Sequence, residues 1–255
     1  MSKHVTLYTA GMDSFILQEW LIQSGIDSQP VYFNHGGRYC EHELQNILKQ
    51  DLSVVEDDSI SLKDLETSDA HIPNRNIIFA LMAASRYADN IWIGGSLSDR
   101  VEDNNQEVMN QFSTFLSNMN GRHIKIDSPF YDCYKENMVD WYISNAKTDN
   151  PKQDLITKTF SCFNPVDHRT VSAKIDVNHR HPEFVEQFNV EVFATQECLN
   201  CTACFRKNAV LSHAGIYLPF NNKDIIEKYK NSFQTALVAT PRSKATLEYI
   251  RRLES

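Results

Sequence analysis

Three groups of residues have types and spacings that could do chemistry. The first is Tyr8-Thr9-Ala10-Gly11-Met12-Asp13-Ser14-Phe15, small and polar residues between a β-rich stretch and an apolar helical one. Such a turn exposes backbone N–H groups, and the helix N-terminus adds partial positive charge. The expected ligand is an anion, most simply a phosphate. The stretch is not a Walker A loop, because no Gly-Lys-Ser/Thr follows at the required distance, and it is not a GxGxxG dinucleotide turn. An ordinary strand-to-helix turn capped by Asp13 or Ser14 would use the same residues. The second group is Ile72-Pro73-Asn74-Arg75-Asn76, where Arg75 and Asn76 open an apolar helix. Beside a phosphate loop they could contact a polyphosphate or a carboxylate. The third is Cys198-x-x-Cys201-x-x-Cys204. Tetrahedral zinc needs four ligands, usually thiolate or imidazole. Cys162 leads as the fourth, with His168, His179 and His181 as rivals, and an iron–sulfur cluster is a second reading of the same thiols. Four protein ligands leave no open position, so zinc here would be structural. Cys40 and Cys133 read as lone thiols.

The elements that must position these groups follow from apolar periodicity. Short β-rich stretches at Val5–Tyr8, Pro30–Phe33, Ser53–Glu56, Ile91–Ile93 and His123–Ile126 alternate with helical patterns. The helices fit Phe15–Ser24, Cys40–Gln50, Asn76–Asn90, Asn105–Asn118 and Tyr134–Ala146. Strands alternating with helices predict an α/β fold, a doubly wound parallel sheet covered on both faces. This nucleotide-binding part is expected over residues 1–150. Residues 151–255 are expected to form a helical, zinc-binding region with helices near 206–213 and 222–233, carrying an insert at about 164–197. Gly94-Gly95, at the end of a strand, would allow close backbone approach to a ligand.

Composition bounds the partners. The chain has 255 residues, 42% hydrophobic and 23% charged, enough for a sizeable core without staples. Twenty-five basic against 33 acidic residues give a net charge of −8. A general nucleic-acid binder needs the opposite balance, so a small-molecule partner is expected and stable nucleic-acid binding is not. No apolar run is long enough to span a membrane. The start lacks the order of a signal peptide. A cytoplasmic location is expected, where structural disulfides are rare and three cysteines within seven residues read as a metal site.

Taken together, these segments resemble one enzyme family in its own order. Thr9-x-Gly11-x-Asp13-Ser14 resembles the pyrophosphate loop, Ser-Gly-Gly-x-Asp-Ser, of the PP-loop ATP pyrophosphatases. Pro73-Asn74-Arg75-Asn76 is similar to the Pro-Gly-Arg-Asn segment of the 7-cyano-7-deazaguanine synthases, the QueC branch. Gly36 and Arg38 match that branch's Asp-Tyr-Gly-Gln-Arg-His. Ser128-Pro129-Phe130 followed by Lys135 and Glu136 resembles its Thr-Pro-(apolar)…Lys-x-Glu, and Thr159…Cys162 plus the cysteine triplet resembles its Thr-x-x-Cys-Tyr-Asn…Cys-x-x-Cys-x-x-Cys.

The resemblance implies an ATP-dependent C–N ligase. It would convert 7-carboxy-7-deazaguanine and ammonia to 7-cyano-7-deazaguanine through an adenylated carboxylate, with ATP, Mg2+ and Zn2+, as a homodimer. Thr9, Gly11, Asp13 and Ser14 would hold pyrophosphate and magnesium. Arg38, Arg75 and Lys135 would offset developing phosphate charge, and Asp99 and Asp103 would receive the N–H groups of the base. The sequence departs from the family at Thr9, Ala10, His35, Gly37 and Tyr39. It departs again at the substrate loop, which reads Ser98-Asp99-Arg100-Val101-Glu102-Asp103-Asn104-Asn105, and at the 35 residues separating Cys162 from Cys198. Other acceptors stay open, tRNA base thiolation or amide ligation among them, as does a non-catalytic nucleotide-binding homologue.

Overall fold

The computed structural model describes residues 4–99, 103–180, 187–234 and 240–254. Contacts divide the chain into two compact units, Met1–Tyr134 and Lys135–Ser255.

The first unit is an α/β layer structure. Its strands are β1 (His4–Leu7), β2 (Gln29–Phe33), β3 (Val55–Asp57), β4 (Asn90–Trp92) and β5 (Lys125–Asp127). They lie in the order β3-β2-β1-β4-β5, all neighbours parallel, with Val5 opposite both Gln29 and Ile91. Helices α1 (Met12–Gln23), α2 (Cys40–Leu48), α3 (Arg75–Arg86) and α4 (Gln106–Asn120) alternate with the strands. Parallel strands need crossovers, and the crossovers cover both faces. Accordingly Val5 and Leu7 of β1 join Phe33, Phe79, Ile91 and Met109 in one apolar cluster, while Tyr8 joins Ala10, Tyr32 and Ile47 in another. The doubly wound parallel sheet expected from the alternation is present.

Local sequence sets the element ends. The apolar pattern places the start of α1 at Phe15, but the helix begins at Met12 with Gly11 as N-cap. Asp13 and Ser14, which read as turn residues, are wound into its first turn. A first turn has no intrahelical partners for its amides, so short polar residues fit there. The α4 helix begins after Asn105, whose side chain accepts from the Val108 amide at 3.0 Å, and stops at Gly121 with φ +61°.

At the end of β3, Asp57 ties the sheet edge to α3. Its carboxylate accepts from Arg86 Nη1 at 3.0 Å and Tyr87 Oη at 2.6 Å. Burial raises its pKa, but hydrogen bonds from Ser59, Tyr87 and Arg86 outweigh this and hold it at about 2. A carboxyl held below its unfolded value of 3.8 contributes stability that is full above that value and lost as pH falls through about 2. Wild type should therefore exceed Asp57→Asn by on the order of 2 kcal/mol in urea unfolding at pH 6. That gap should close as pH falls from about 4 toward 2. A gap independent of pH would show that the carboxylate charge is not what Arg86 and Tyr87 hold.

The second unit holds helices α5 (Lys135–Asn145), α6 (Pro151–Thr157), α7 (Thr202–His213), α8 (Lys223–Gln234) and α9 (Pro241–Glu254). It also holds an antiparallel sheet that the helical reading of this region lacks: β6 (Arg169–Asp176), β7 (Phe188–Thr195) and β8 (Ile216–Tyr217), in the order β7-β6-β8. Strands β6 and β7 are the insert itself. They pair from Arg169 opposite Thr195 to Asp176 opposite Phe188. An antiparallel hairpin returns the chain to within one strand spacing of its origin. Thirty-five residues therefore leave Cys162 and Cys198 adjacent: the Cys198 amide donates to Cys162 Sγ at 3.2 Å. Helix α7 packs its Phe205 against Phe220, Tyr229 and Tyr249. No helix among the described residues is long and apolar enough to cross a membrane.

Candidate active site and metal centre

The strand order reverses between β1 and β4, and ligands of open α/β sheets bind outside the carboxyl ends of the strands at such a point. Tyr8–Phe15 follows β1 and Gly94-Gly95 follows β4, so both fall at this crevice. Their approach is close. A Cβ built on Gly94 would lie 2.9 Å from Asp13 Cβ and 3.1 Å from the Ser14 amide nitrogen. Only glycine lets the end of β4 meet the first turn of α1.

The loop is held by its own hydroxyls. Ser14 Oγ donates to the Gly11 carbonyl at 3.1 Å and accepts from the Thr9 amide at 3.2 Å. Thr9 Oγ1 accepts from the Gly11 amide at 3.2 Å. Threonine thus keeps the hydroxyl function expected of serine at this position. Ala10 is fully buried and sits at φ +53°, a left-handed conformation that costs a residue with Cβ about 1–2 kcal/mol. Met12 is buried against the unit, Tyr8 donates to Gln50 Oε1, and Phe15 takes the first helical bond to Gly11. Behind Gly94-Gly95, Asn104 Nδ2 donates to the Gly94 carbonyl at 3.4 Å and Ser128 Oγ to the Gly95 carbonyl at 2.7 Å. Asn104 is a brace that the sequence does not single out; it lies in a polar run with no periodic signal.

Arg75 begins α3, and its Nη1 donates to Tyr39 Oη at 2.6 Å. Asn76 and Asp103 are brought together, with the Asp103 carboxylate accepting from the Asn76 amide at 3.0 Å and from its Nδ2 at 3.1 Å. Asp103 thereby caps a helix whose N-cap residue, Asn74, makes no side-chain cap. Asp99 accepts from the Ser96 amide at 2.8 Å, stabilising the turn after β4. Arg38 is paired with Glu66, and its Nη1 and Nη2 donate to the Ser68 and Thr67 carbonyls at 3.3 and 2.8 Å. Arg38, Asp99 and Asp103 therefore spend polar groups on the loops around the crevice. Lys135 opens α5 of the second unit. Residues 100–102 of the substrate loop and His181 lie outside the described residues.

In the second unit the Sγ atoms of Cys162, Cys198, Cys201 and Cys204 all lie within 4.8 Å of one another. Cys198–Cys204 is 3.9 Å and Cys201–Cys204 is 3.6 Å. These are not disulfides, whose sulfurs are about 2.05 Å apart. Four thiolates about 2.3 Å from a tetrahedral zinc would be about 3.8 Å apart. The cluster therefore fits structural zinc. Cys162 is the fourth member, whereas His168 is exposed and His179 pairs with the His213 carbonyl. Two peptide N–H groups point at the sulfurs, Cys198 N on Cys162 and Asn200 N on Cys198. A buried ion pair that the sequence does not reveal joins the two cysteine segments. Lys207 Nζ sits 3.0 and 3.1 Å from the Glu197 carboxylate and 2.7 Å from the Thr159 carbonyl, and Glu197 accepts from the Ser161 amide at 2.7 Å.

A five-strand parallel sheet with a small-residue loop at its switch point is an arrangement that PP-loop proteins share with other open α/β folds. Residues 46–215 match the family model "Queuosine biosynthesis protein QueC". The chain belongs to the QueC family. No curated protein matches it. Membership carries queuosine-type biosynthesis, ATP use and a small-molecule substrate in broad terms.

Proposed function

We propose that this protein is a 7-cyano-7-deazaguanine synthase that activates 7-carboxy-7-deazaguanine with ATP. The observation that supports this most is the seating of Gly94 against Asp13 and Ser14 at the switch point, where α1 begins and its first-turn amides would bind an anion. A carboxylate oxygen of the substrate attacks the α-phosphorus of ATP and pyrophosphate leaves. Ammonia displaces AMP to give the amide. The amide oxygen then attacks the α-phosphorus of a second ATP and a second pyrophosphate leaves; loss of AMP and of both amide N–H protons leaves the nitrile.

No covalent protein nucleophile is required, since positioning and charge stabilisation suffice. Thr9, Gly11, Met12 and Ser14 receive the pyrophosphate. Asp13 would hold magnesium, a hard cation that takes carboxylate oxygens and would offset phosphate charge. Arg75, oriented by Tyr39, and Lys135 offset charge at the leaving group. Asn76, Asp99 and Asp103 shape the base pocket, and the four-cysteine zinc holds the second unit folded. The protein works in the cytoplasm as a homodimer.

The test is incubation with ATP, magnesium, ammonium and the 7-carboxy acid, reading nitrile and amide by mass spectrometry and AMP with and without the acid. Nitrile with acid-dependent AMP is expected, lost in Asp13→Ala. AMP no higher than in that variant, with no amide or nitrile, would remove the synthase reading.

A further inference from the structure

We propose that His35, Cys40 and Glu43 form a second metal site, a buried nitrogen–sulfur–oxygen triad for a zinc-class divalent cation. One ligand atom from each of the three lies within 4.8 Å of the others. His35 is 1% exposed, Cys40 3% and Glu43 9%. Neither ring nitrogen of His35 has a hydrogen-bond partner. Buried polar atoms are nearly always satisfied, so a doubly orphaned imidazole requires an explanation. A cation between the three groups supplies one.

The local fold prearranges the set. His35 lies in the loop after β2. Cys40 is the first residue of α2 and Glu43 follows three positions later, so both side chains share one helix face. The Tyr32 hydroxyl is 3.1 Å from both the Cys40 carbonyl and Glu43 Oε2, which orients the carboxylate and leaves Oε1 for a metal. The rings of Tyr39 and Phe79 pack on the imidazole at centroid distances of 5.8 and 5.7 Å and hold it in place. Zinc takes imidazole, thiolate and carboxylate, and three protein ligands leave a fourth position for water. Ligand atoms on a tetrahedral zinc are roughly 3.5 Å apart, a spacing inside the 4.8 Å that bounds the three groups. Two anionic ligands, the Cys40 thiolate and the Glu43 carboxylate, balance the charge of a divalent cation. Alkaline-earth cations are disfavoured because thiolate is too soft a ligand for them. The same loop carries Arg38 and Tyr39, so a bound cation would fix the segment that orients Arg75.

Metal content tests this without reference to turnover, so the outcome is separable from that of the ATP assay. The tag-free full chain is loaded with zinc, stripped of excess by desalting, and analysed for zinc per chain. About two equivalents are expected, falling to about one in His35→Gln and in Cys40→Ser, and to about one in the complementary Cys201→Ser. Zinc X-ray absorption on the native protein needs no variant. Averaging one four-sulfur site with one single-sulfur site gives about 2.5 sulfurs per zinc, against four for the cysteine cluster alone. A single equivalent with an all-sulfur shell would overturn the proposal. So would two equivalents that persist in both His35→Gln and Cys40→Ser.

Discussion

Gly94→Ala is expected to lower ATP-dependent turnover by about 10²-fold while leaving the protein folded. The added methyl would meet Asp13 Cβ at 2.9 Å, the Asp13 carbonyl carbon at 3.1 Å and the Ser14 amide nitrogen at 3.1 Å. Two of these are backbone atoms, so no side-chain rotation relieves the contact. Either the end of β4 or the first turn of α1 must retreat, and that turn carries the groups proposed to bind phosphate. Displacements approaching an ångström at a site built on positioning cost orders of magnitude in rate. Gly121→Ala is the matched control. Gly121 also needs glycine, at φ +61°, but nothing lies within 4 Å of its added Cβ. It should cost about 1 kcal/mol of stability and leave kcat unchanged. Turnover of Gly94→Ala within about threefold of wild type would place the ligand elsewhere than this crevice.

Lys207→Met is expected to destabilise the second unit by about 3–5 kcal/mol. The Lys207 side chain is 1% exposed and its partner Glu197 5%. Removing the ammonium leaves the Glu197 carboxylate buried, with the Ser161 amide donating to it at 2.7 Å. Glu197 directly precedes Cys198, and Thr159 and Ser161 lie just before Cys162, so the same loss should loosen the four-sulfur cluster. The double variant Lys207→Met, Glu197→Gln should recover much of the stability, because an uncompensated charge rather than a missing attraction carries the cost. Urea unfolding followed by zinc release measures both effects. A change below about 1 kcal/mol would mean that the pair is not what joins the two segments.

The α/β layer was legible in the sequence because its signals are redundant. Val5, Val31 and Ile91 sit in short apolar runs, each followed by a helical period, and all are fully or nearly fully buried in the sheet. The cysteine cluster was legible for a chemical reason: few arrangements of three thiols in seven residues serve anything but a metal. The hairpin of the insert was not. Strand β6 does alternate, with Val171, Ala173 and Ile175 buried, but β7 turns Val190 and Val192 outward at 62% and 66% exposure. Its apolar residues therefore do not mark a core face. Helices α6 and α9 carry proline at or near their starts, and Asn150 caps α6 by accepting from the Gln153 amide. Those signals are present, but both helices are polar over most of their length. The networks of Asp103 with Asn76 and of Lys207 with Glu197 join residues 27 and 10 positions apart, and no local pattern encodes such partners.

The loop between β1 and α1 is proposed to drive transfer of a substrate oxygen to phosphorus. The most direct measurement uses 7-carboxy-7-deazaguanine labelled with oxygen-18 in both carboxyl positions, with ATP, magnesium and ammonium. Adenylation of the carboxylate, and then of the amide, moves each labelled oxygen into the phosphate of a departing AMP. Mass spectrometry should therefore find the label in AMP and an unlabelled nitrile. AMP formed without label would mean that water, not the substrate, attacks the α-phosphorus, and would contradict the account.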